Sequence, residues 1–269
     1  MRHAWLIIAH NEFEILQRLV SMLDHERSDF FIHFDAKVKT LPEITVEKGR
    51  LFVLKNRVDV RWGSVSQIET ELVLLEAAMQ QGPYIHYHIL SGTHLPLKDV
   101  TELFRFYDDH AGEEVMRFWA EDPGDADFKL RRYHFPLRHY KFGSHFQQRR
   151  CQLTWQGIIK IQKVLGIRHY KESTFIKTDN WLSLTEKACS YLVQNKMSIL
   201  KKYKWSFCGD EFFVASELAT LPDQFKLHDC KNLLYVVFQY DTPRSFTLDE
   251  YPQLQSTGYW WARKFTTLS

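Results

Sequence analysis

The first 120 residues alternate short apolar runs with stretches in which apolar residues recur at helical spacing. This alternation constrains the fold more than any other feature of the chain, because strands that alternate with helices are typical of an α/β domain with a mainly parallel sheet. We predict strands at residues 4–9, 30–34, 51–54, 84–90 and 115–119. We predict helices at residues 12–23, 66–81 and 101–110, the second opened by a capping box at Ser66-x-x-Glu69 and closed at Gly82.

The stretch from Glu121 to Arg150 is polar and strongly charged and lacks clear periodicity. Loops of this length are uncommon in compact domains unless they bind something, so we predict a functional loop or an insertion there. Beyond it we predict helices at residues 155–165 and 185–194 and one that begins near Gly209, with strands at 175–184 and 233–238. No internal repeat, low-complexity tract or linker divides the chain, and we predict a single domain over residues 1–269.

Composition and charge exclude several classes of protein. Of the 269 residues, 45 % are hydrophobic, which excludes a disordered or fibrous protein. The chain has 35 Lys and Arg against 33 Asp and Glu, and this balance argues against nucleic-acid binding. No apolar run approaches the roughly 20 residues of a membrane helix, and the N-terminus does not resemble a signal peptide. We therefore expect a cytoplasmic protein.

Two pairs of basic residues, Arg131-Arg132 and Arg149-Arg150, interrupt the balanced charge. Such pairs can dock on anionic lipid, and a solvated charged loop explains them equally well. A peripheral contact at the inner face of the cell membrane is therefore an alternative to the bulk cytoplasm.

The sequence lacks the short motifs of several enzyme and cofactor classes. It contains no GxGxxG, no GxxxxGK[ST], no GxSxG and no HExxH, so dinucleotide, P-loop, α/β-hydrolase and zincin sites are not supported. The cysteines show no CxxC spacing, and we predict four free thiols. They are Cys151, Cys189, Cys208 and Cys230.

Two short patterns contain residues that metals prefer. Asp125 and Asp127 form a DxD, a kind of carboxylate pair that can hold a divalent ion against a diphosphate. The pair falls in the irregular charged stretch, so we favour a solvated loop. His86 and His88 lie on one face of a predicted strand, without a third ligand nearby in sequence. We favour hydrogen-bonded histidines over a metal site.

Four segments are more specific than these patterns. They are residues 56–66 (Asn-Arg-Val-Asp-Val-Arg-Trp-Gly-Ser-Val-Ser), 89–98 (Ile-Leu-Ser-Gly-Thr-His-Leu-Pro-Leu-Lys), 209–213 (Gly-Asp-Glu-Phe-Phe), and Pro243-Arg244-Ser245 with 261–265 (Trp-Ala-Arg-Lys-Phe). In this order they resemble the core-2/I-branching β-1,6-N-acetylglucosaminyltransferase family, which also contains the peptide O-xylosyltransferases. The resemblance runs from the first strand to Lys264. It implies a GT-A-like glycosyltransferase fold, inversion at the donor sugar, and no divalent metal or other cofactor.

The resemblance assigns the chemistry to three residues. Glu211 matches the family's catalytic base, which must deprotonate the acceptor hydroxyl as it attacks the anomeric carbon. Arg244 and Lys264 match the two cations that hold the departing diphosphate, a task that a metal would otherwise perform. Without the resemblance, a helix-terminal carboxylate and two ordinary surface cations would explain these side chains.

The resemblance also assigns binding residues to each half of the chain. Residues 1–120 form the nucleotide-sugar-binding half, in which the matching positions are Ala9, His10, Asn11, Asp35, Arg57 and Trp62. Residues 121–269 form the acceptor-binding and catalytic half, in which they are Glu121, Arg132, Asn180, Trp181 and Asp210. The alternative explanation for Asp35 is a plain turn at the end of a strand. The alternative explanation for Trp181 is a packing role in the core.

Two positions depart from the family pattern. Gly209 replaces a proline of the Pro-Asp-Glu-like motif, and His94 replaces the aspartate common in Ser-Gly-x-Asp-x-Pro-Leu. The membrane anchor, stem and disulfide cysteines of the vertebrate members have no counterpart here, which fits a short member that acts in bacterial surface-polysaccharide assembly.

We therefore expect an enzyme that transfers a sugar, GlcNAc from UDP-GlcNAc, in β-linkage to a glycan or lipid-linked glycan acceptor. A xylosyltransferase-like enzyme with UDP-xylose is the alternative within the family. A non-catalytic nucleotide-sugar or glycan-binding module is the alternative outside enzymology, and the presence of Glu211 with Arg244 and Lys264 argues against it. A metal-dependent hydrolase built on the histidines is a remote third.

Overall fold

The computed structural model describes residues 1–120, 122–239 and 242–267. The strands are β1 (His3–Ala9), β2 (Ser28–Phe34), β3 (Arg50–Val53), β4 (Tyr87–Ser91), β5 (Leu95–Pro96), β6 (Glu114–Met116), β7 (Ser183–Leu184), β8 (Leu227–Asp229), β9 (Leu234–Tyr235), β10 (Phe238–Gln239), β11 (Thr242–Pro243) and β12 (Trp261–Ala262). The helices are α1 (Phe13–Leu23), α2 (Ser66–Met79), α3 (Val100–Asp109), α4 (Pro123–Leu130), α5 (His145–Val164), α6 (Glu186–Gln194), α7 (Lys196–Tyr203), α8 (Phe213–Leu218) and α9 (Tyr251–Gln255).

A seven-stranded sheet in the order β3-β2-β1-β4-β7-β6-β8 forms the centre of the fold. Strands β3, β2, β1 and β4 run parallel, whereas β7 is antiparallel to both of its neighbours. The carboxyl ends of the four parallel strands therefore meet at one edge of the sheet, where open α/β folds place ligands. The expected α/β fold with a mainly parallel sheet is confirmed.

Helices cover both faces of this sheet, and β1 shows why the sequence dictates that arrangement. Its residues alternate between faces, and Ala4 and Leu6 lie in the core cluster that includes α2, while Trp5 and Ile7 lie in the cluster that includes α1. A strand that is apolar at every position from Ala4 to Ala9 must be buried on both sides, as parallel strands with helical crossovers are. In the described residues, no helix combines the length and the apolar composition needed to cross a bilayer.

The predicted structureless stretch at residues 121–150 is wrong, because α4 and the first turn of α5 lie within it. Asp122 and Pro123 start α4: the aspartate side chain accepts from two backbone N–H groups, and proline occupies the first turn. Ser144 and Gln147 form a capping box at the start of α5. Both helices are polar along most of their length, which hides their periodicity.

Other predicted boundaries also change. The strand predicted at 175–184 is reduced to β7, and the one at 233–238 is broken into β9 and the start of β10. Ser66 opens α2 without capping it, because its hydroxyl accepts from the N–H of Arg61 at 2.7 Å and contacts the Ser64 hydroxyl. The predicted capping box at this helix is therefore wrong.

A small three-stranded sheet, β5-β12-β9, holds the C-terminal segment against the main sheet. Beyond β12, the N–H of Phe265 donates to the carbonyl of Thr93 at 2.9 Å. Phe265 also forms a parallel bridge with Phe246. These contacts fix the backbone on both sides of Lys264 beside the turn that follows β4.

Candidate active site

Backbone hydrogen bonds join the loops at the carboxyl ends of β1, β2 and β3. The N–H of Asp35 donates to the carbonyl of Ala9 at 2.9 Å, and the N–H of Ala36 donates to the carbonyl of Val58 at 3.0 Å. Ala9 is buried against Gly92, where an added Cβ would lie 3.2 Å from that of Ala9. The structure thus places the predicted nucleotide-sugar residues of the three strand ends at one edge.

Asp35 is a buried carboxylate with a fixed partner. It accepts from the N–H of Lys37 at 2.8 Å and from its ammonium at 2.6 Å. The same ammonium reaches Asp59 at 3.2 Å and the carbonyl of Val60 at 2.6 Å. Lys37 thereby brings a positive charge to the strand ends that the sequence analysis did not identify.

Arg57 joins backbone segments at the strand ends. Its guanidinium donates to the carbonyls of Phe34 at 3.1 Å and Asp35 at 2.7 Å, and also to that of Val38. These bonds hold the loop after β2 in place. Arg57 therefore has a clear structural role at the predicted nucleotide-sugar site.

Trp62 forms an aromatic contact with the segment that precedes α5. Its ring stacks on Tyr140 at a centroid distance of 5.5 Å and meets Phe207 edge-on at 5.3 Å. The ammonium of Lys141 lies 3.5 Å from the centroid of the Trp62 ring. The neighbouring Gly63 has φ +75°, and an added Cβ would lie 2.9 Å from the Phe207 ring. Trp62 thus links the donor side of the site to residues 140–141.

Arg244 and Lys264 lie on two neighbouring segments. The N–H of Phe246 donates to the carbonyl of Lys264 at 2.8 Å, so the segments run side by side. The Arg244 guanidinium pairs with Glu250 and lies 5.0 Å from the centroid of the Phe246 ring. Within the described residues, the Lys264 ammonium has no ion pair. The structure brings the two predicted diphosphate cations onto adjoining backbone segments.

Lys264 also faces the end of β1. Desolvation by the surrounding protein and then the Lys264 charge lower the pKa of His10. The carboxylate of Glu12 accepts from the N–H of Thr267 at 2.9 Å and from the Thr266 hydroxyl at 2.9 Å. Asn11 Oδ1 is buried without a partner in the described part of the chain. The hydrogen bonds of Glu12 hold the C-terminal segment against the β1–α1 loop. The unpartnered Asn11 oxygen can accept a hydrogen bond from a ligand.

Glu211 lies in a cluster of four charges. It ends the 3₁₀ turn Gly209–Glu211, and its Oε2 is 2.7 Å from the Lys129 ammonium and 3.7 Å from that of Lys177. Asp125 Oδ2 lies 2.6 Å from Lys177 and 3.3 Å from Lys129. The Glu211 side chain keeps 32 % of its surface exposed. A carboxylate that solvent and an acceptor can reach can accept a proton.

Asp210 faces inward, opposite to its neighbour Glu211. It is buried, and its Oδ2 accepts from Gln67 at 2.8 Å and Asn180 at 3.1 Å, while Oδ1 has no partner among the described residues. Burial and then the charge of Glu211 raise the pKa of Asp210 to about 7. Burial and then the Asp210 charge also raise the pKa of Glu71, fully buried on α2, well above its usual range. The predicted acceptor residues Asn180 and Asp210 are thus brought together.

Arg263, the residue before Lys264, is buried beneath this pair. Its guanidinium lies 4.8 Å from the centroid of the Trp181 ring. Burial lowers the pKa of Arg263 to about 10, and the charges of Asp179 and Asp210 oppose that shift. Trp181 meets His94 edge-on at 4.9 Å. Trp181 is therefore partly a packing residue, and the Arg263 cation lies against its ring.

His94 stands where the family commonly has aspartate, and it is fully buried. Its Nδ1 accepts from the N–H of Ser91 at 3.1 Å and contacts the Ser91 hydroxyl at 2.8 Å. Burial lowers the pKa of His94 well below its usual range. A neutral imidazole therefore occupies the position of a carboxylate and holds the turn after β4.

One predicted acceptor residue, Arg132, is not brought to this cluster. Arg132 is buried, and its guanidinium pairs with Asp127 at 3.1 Å and reaches the carbonyl of Ile167 at 3.4 Å. This arrangement packs the end of α4 onto α5. Glu121 lies outside the described residues.

The predicted solvated loop for Asp125 and Asp127 is wrong. Both lie on α4, and each is paired with cations: Asp125 with Lys129 and Lys177, Asp127 with Arg132 and Arg168. Two residues apart on a helix, the side chains point in different directions. They do not form the joint carboxylate pair that a metal–diphosphate site needs.

The predicted hydrogen bonds are confirmed for both nitrogens of His88 but for only one nitrogen of His86, whose Nδ1 has no partner among the described residues. The Nδ1 of His88 contacts the Ser183 hydroxyl at 2.7 Å and its Nε2 contacts His3 at 3.0 Å, while His86 contacts the carbonyl of Glu113 at 2.9 Å. All four cysteines are free and buried, as predicted.

One other group of potential metal ligands lies at the opposite edge of the sheet. Within the described residues, the ligand atoms of His110, Glu113 and His228 lie within 4.8 Å of one another. Glu113 pairs there with Lys226 and with Nδ1 of His228 at 3.1 Å. The ion pair with Lys226 accounts for the carboxylate without a metal.

Comparisons with known proteins show which family this sequence matches. The sequence model of the Core-2/I-Branching enzyme family matches residues 3–237, a range that contains Glu211 and ends before Arg244 and Lys264. The fold is similar to that of mouse xyloside xylosyltransferase 1 in its apo form, with 13 % sequence identity, a TM-score of 0.41, and coverage of 97 % of this chain and 96 % of that one. No curated protein sequence matches significantly.

Proposed function

Since the chain belongs to the Core-2/I-branching enzyme family and is a glycosyltransferase, we propose that it transfers GlcNAc from UDP-GlcNAc to a glycan, with inversion and without a divalent metal. The acceptor we propose is a surface glycan or its lipid-linked precursor in a bacterial cell. Glu211 is the base, and Arg244 and Lys264 bind the diphosphate.

The observation that carries this proposal is the environment of Glu211. Its carboxylate is partly exposed, and its Oε2 is paired with the Lys129 ammonium at 2.7 Å. The ion pair holds the carboxylate in place, and a partly exposed carboxylate can take a proton from the acceptor hydroxyl. The oxygen so activated attacks the anomeric carbon, the bond to the diphosphate breaks on the opposite face, and the configuration inverts.

The departing diphosphate gains negative charge, which fixed cations can stabilise. Arg244 offers a planar fork for phosphate oxygens and Lys264 a point charge. Glu250 pairs with the Arg244 guanidinium in the ligand-free protein. We propose that the diphosphate displaces this carboxylate when the donor binds.

A thermal-shift experiment with nucleotide sugars tests the proposal. The purified protein is melted with UDP, UDP-GlcNAc, UDP-xylose and UDP-glucose, each with and without EDTA, because a ligand that binds only the folded state raises the melting point. We expect UDP and UDP-GlcNAc each to raise the melting point, and each to raise it by the same amount with EDTA as without it. Stabilisation that requires manganese would contradict metal independence, and a larger effect of UDP-xylose would change the donor.

Incubating the protein with the same donor and candidate glycans, and measuring the release of UDP, distinguishes an enzyme from a binding module. A binding module gives the thermal shift without releasing UDP in the presence of any acceptor. Release of UDP that depends on a glycan supports the transferase, and its product identifies the acceptor and the linkage.

A further inference from the structure

The longest helix of the described chain has a second apolar stripe that packs against nothing. The inner face of α5 is buried through Trp155 and Ile159. On the outer face Phe146, Leu153 and Val164 are 67 %, 57 % and 85 % exposed. These positions are separated by 7 and 11 residues, so in a helix of 3.6 residues per turn they form one line.

Basic residues flank this line. The outer face of α5, defined here as Phe146, Arg149, Arg150, Leu153, Lys160 and Val164, carries three cations. The Arg150 guanidinium lies 5.5 Å from the centroid of the Phe146 ring. An exposed apolar stripe bordered by Lys and Arg is the pattern of helices that lie in the interface of an anionic bilayer.

The surrounding sequence strengthens the charge argument. Residues 128–171 contain eleven Lys and Arg and no Asp or Glu, whereas the rest of the chain has 24 Lys and Arg against 33 Asp and Glu. The near-zero net charge therefore conceals a strongly basic segment on an otherwise acidic protein. Such a segment is attracted to the negative surface of a bilayer that contains anionic lipid.

The same charge distribution excludes a second copy of this chain as the occupant. A face-to-face dimer through α5 would bring two acid-free, basic surfaces together, and like charges repel. Nucleic-acid phosphates would be attracted to the cations but would leave the apolar stripe exposed to water. A bilayer satisfies both features, since its headgroups take the cations and its acyl boundary takes the apolar side chains.

We propose that the outer face of α5 is a docking surface for an anionic lipid bilayer. The inner face of α5 packs on Phe207 and Cys208, which immediately precede the Gly209–Glu211 turn. Docking would therefore hold Glu211 one packing layer away from the membrane-bound helix. The docking itself does not depend on the sugar-transfer reaction.

Sedimentation of the full chain with sucrose-loaded vesicles tests this surface. The vesicles are phosphatidylcholine alone or with about 30 % phosphatidylglycerol, at about 0.1 M salt. We expect binding to the anionic vesicles only. Each cation near such a surface contributes about fivefold to binding, so Arg149→Glu with Arg150→Glu should weaken it at least about 25-fold. Leu153→Ser with Val164→Ser should also weaken it, because the apolar stripe is lost.

The control variants lie elsewhere on the surface. Lys48→Glu with Lys201→Glu changes the net charge by the same amount, and Met197→Ser removes an exposed apolar side chain from α7. We expect the controls to bind the vesicles like the unaltered chain. All substituted positions are exposed, and circular dichroism checks that each variant is folded.

Three outcomes would overturn the proposal. The first is no binding to anionic vesicles, and the second is an equal loss of binding in the controls. The third is tight binding of a single-stranded DNA oligonucleotide together with no binding to the vesicles. Because the vesicles contain neither donor nor acceptor, a failure here leaves the proposed transferase untouched, and an inactive enzyme leaves the docking result standing.

Discussion

The ammonium of Lys129 lies 2.7 Å from Oε2 of Glu211, across 82 residues of sequence. Burial alone would lower the pKa of Lys129, yet the Glu211 charge raises it above its usual value. In the described structure both cation contacts of Glu211 are made to Oε2. Oε2 thus anchors the carboxylate, which leaves Oε1 for the acceptor hydroxyl in the proposed reaction.

Replacing Glu211 by glutamine should abolish transfer and preserve donor binding. The amide keeps the size of the side chain but cannot accept the hydroxyl proton, and general-base catalysis contributes about 10²–10⁴-fold. The measurements are the rate of UDP release with acceptor and the Kd for UDP by calorimetry. The matched control is Glu76→Gln, which removes an ion pair between Glu76 on α2 and Lys196 on α7. This variant should stay active. A normal rate of sugar transfer by the Glu211→Gln variant would disprove the assignment of Glu211 as the base.

Replacing Lys129 by methionine should lower kcat more than it changes KM. The methionine fills the same space but leaves Glu211 with only the more distant Lys177, at 3.7 Å. Charged hydrogen bonds of this kind are worth about 1.5–3 kcal/mol, which corresponds to roughly a 10- to 100-fold loss of rate. Lys129→Arg restores the charge and should recover part of kcat. A methionine variant and an arginine variant with equal activity would show that Lys129 only supports the fold.

Replacing Lys264 by methionine should weaken UDP binding without affecting uridine. The ammonium faces the strand ends, and loss of one charged contact to phosphate costs roughly tenfold or more in affinity. Calorimetric titrations with UDP and with uridine separate the diphosphate from the nucleoside. Lys231→Met, on an exposed loop, is the control and should bind both ligands normally. An equal loss for uridine would place Lys264 at the nucleoside and not at the diphosphate.

The sheet could be predicted because its signals are local. Every position of β1 is apolar or buried, and α1 shows clear helical spacing immediately afterwards. In contrast, α5 buries only a few side chains along 20 residues and exposes large apolar ones on its other face. Its hydrophobic pattern therefore has two stripes, which conceal the single stripe expected of a surface helix.

The site was predicted less completely, because its partners come from distant segments. Motif resemblance identified Glu211, but Lys129 and Lys177 belong to a helix and a loop that carry no motif. Asp125 drew attention as half of a DxD, whereas its role is to pair with those lysines. Apart from the local pair Asp125–Lys129, these ion pairs span tens of residues and leave no periodic trace in a sequence, so only the fold shows them.

Asp210 gives a prediction for the pH dependence of stability. The pKa of this carboxyl rises from 3.8 to about 7 on folding. Between these values the folded protein binds more protons than the unfolded chain, so this group makes the free energy of unfolding fall as pH rises. Asp210→Asn removes the titration and retains an oxygen that can accept from Gln67 and Asn180. Its stability relative to the unaltered chain should therefore increase by roughly 2–4 kcal/mol between pH 5 and pH 8.

Urea unfolding at pH 5 and pH 8 measures this difference directly. The control is Asp59→Asn: desolvation opposes the change, but ion pairs with Arg61 and Lys37 lower the pKa of Asp59. A carboxyl with a lowered pKa loses its contribution only as pH falls below about 4, so the control difference should stay constant from pH 5 to pH 8. If the Asp210→Asn difference is equally constant, Asp210 is ionised throughout. In that case the unpartnered Oδ1 carries a full negative charge into the proposed acceptor site.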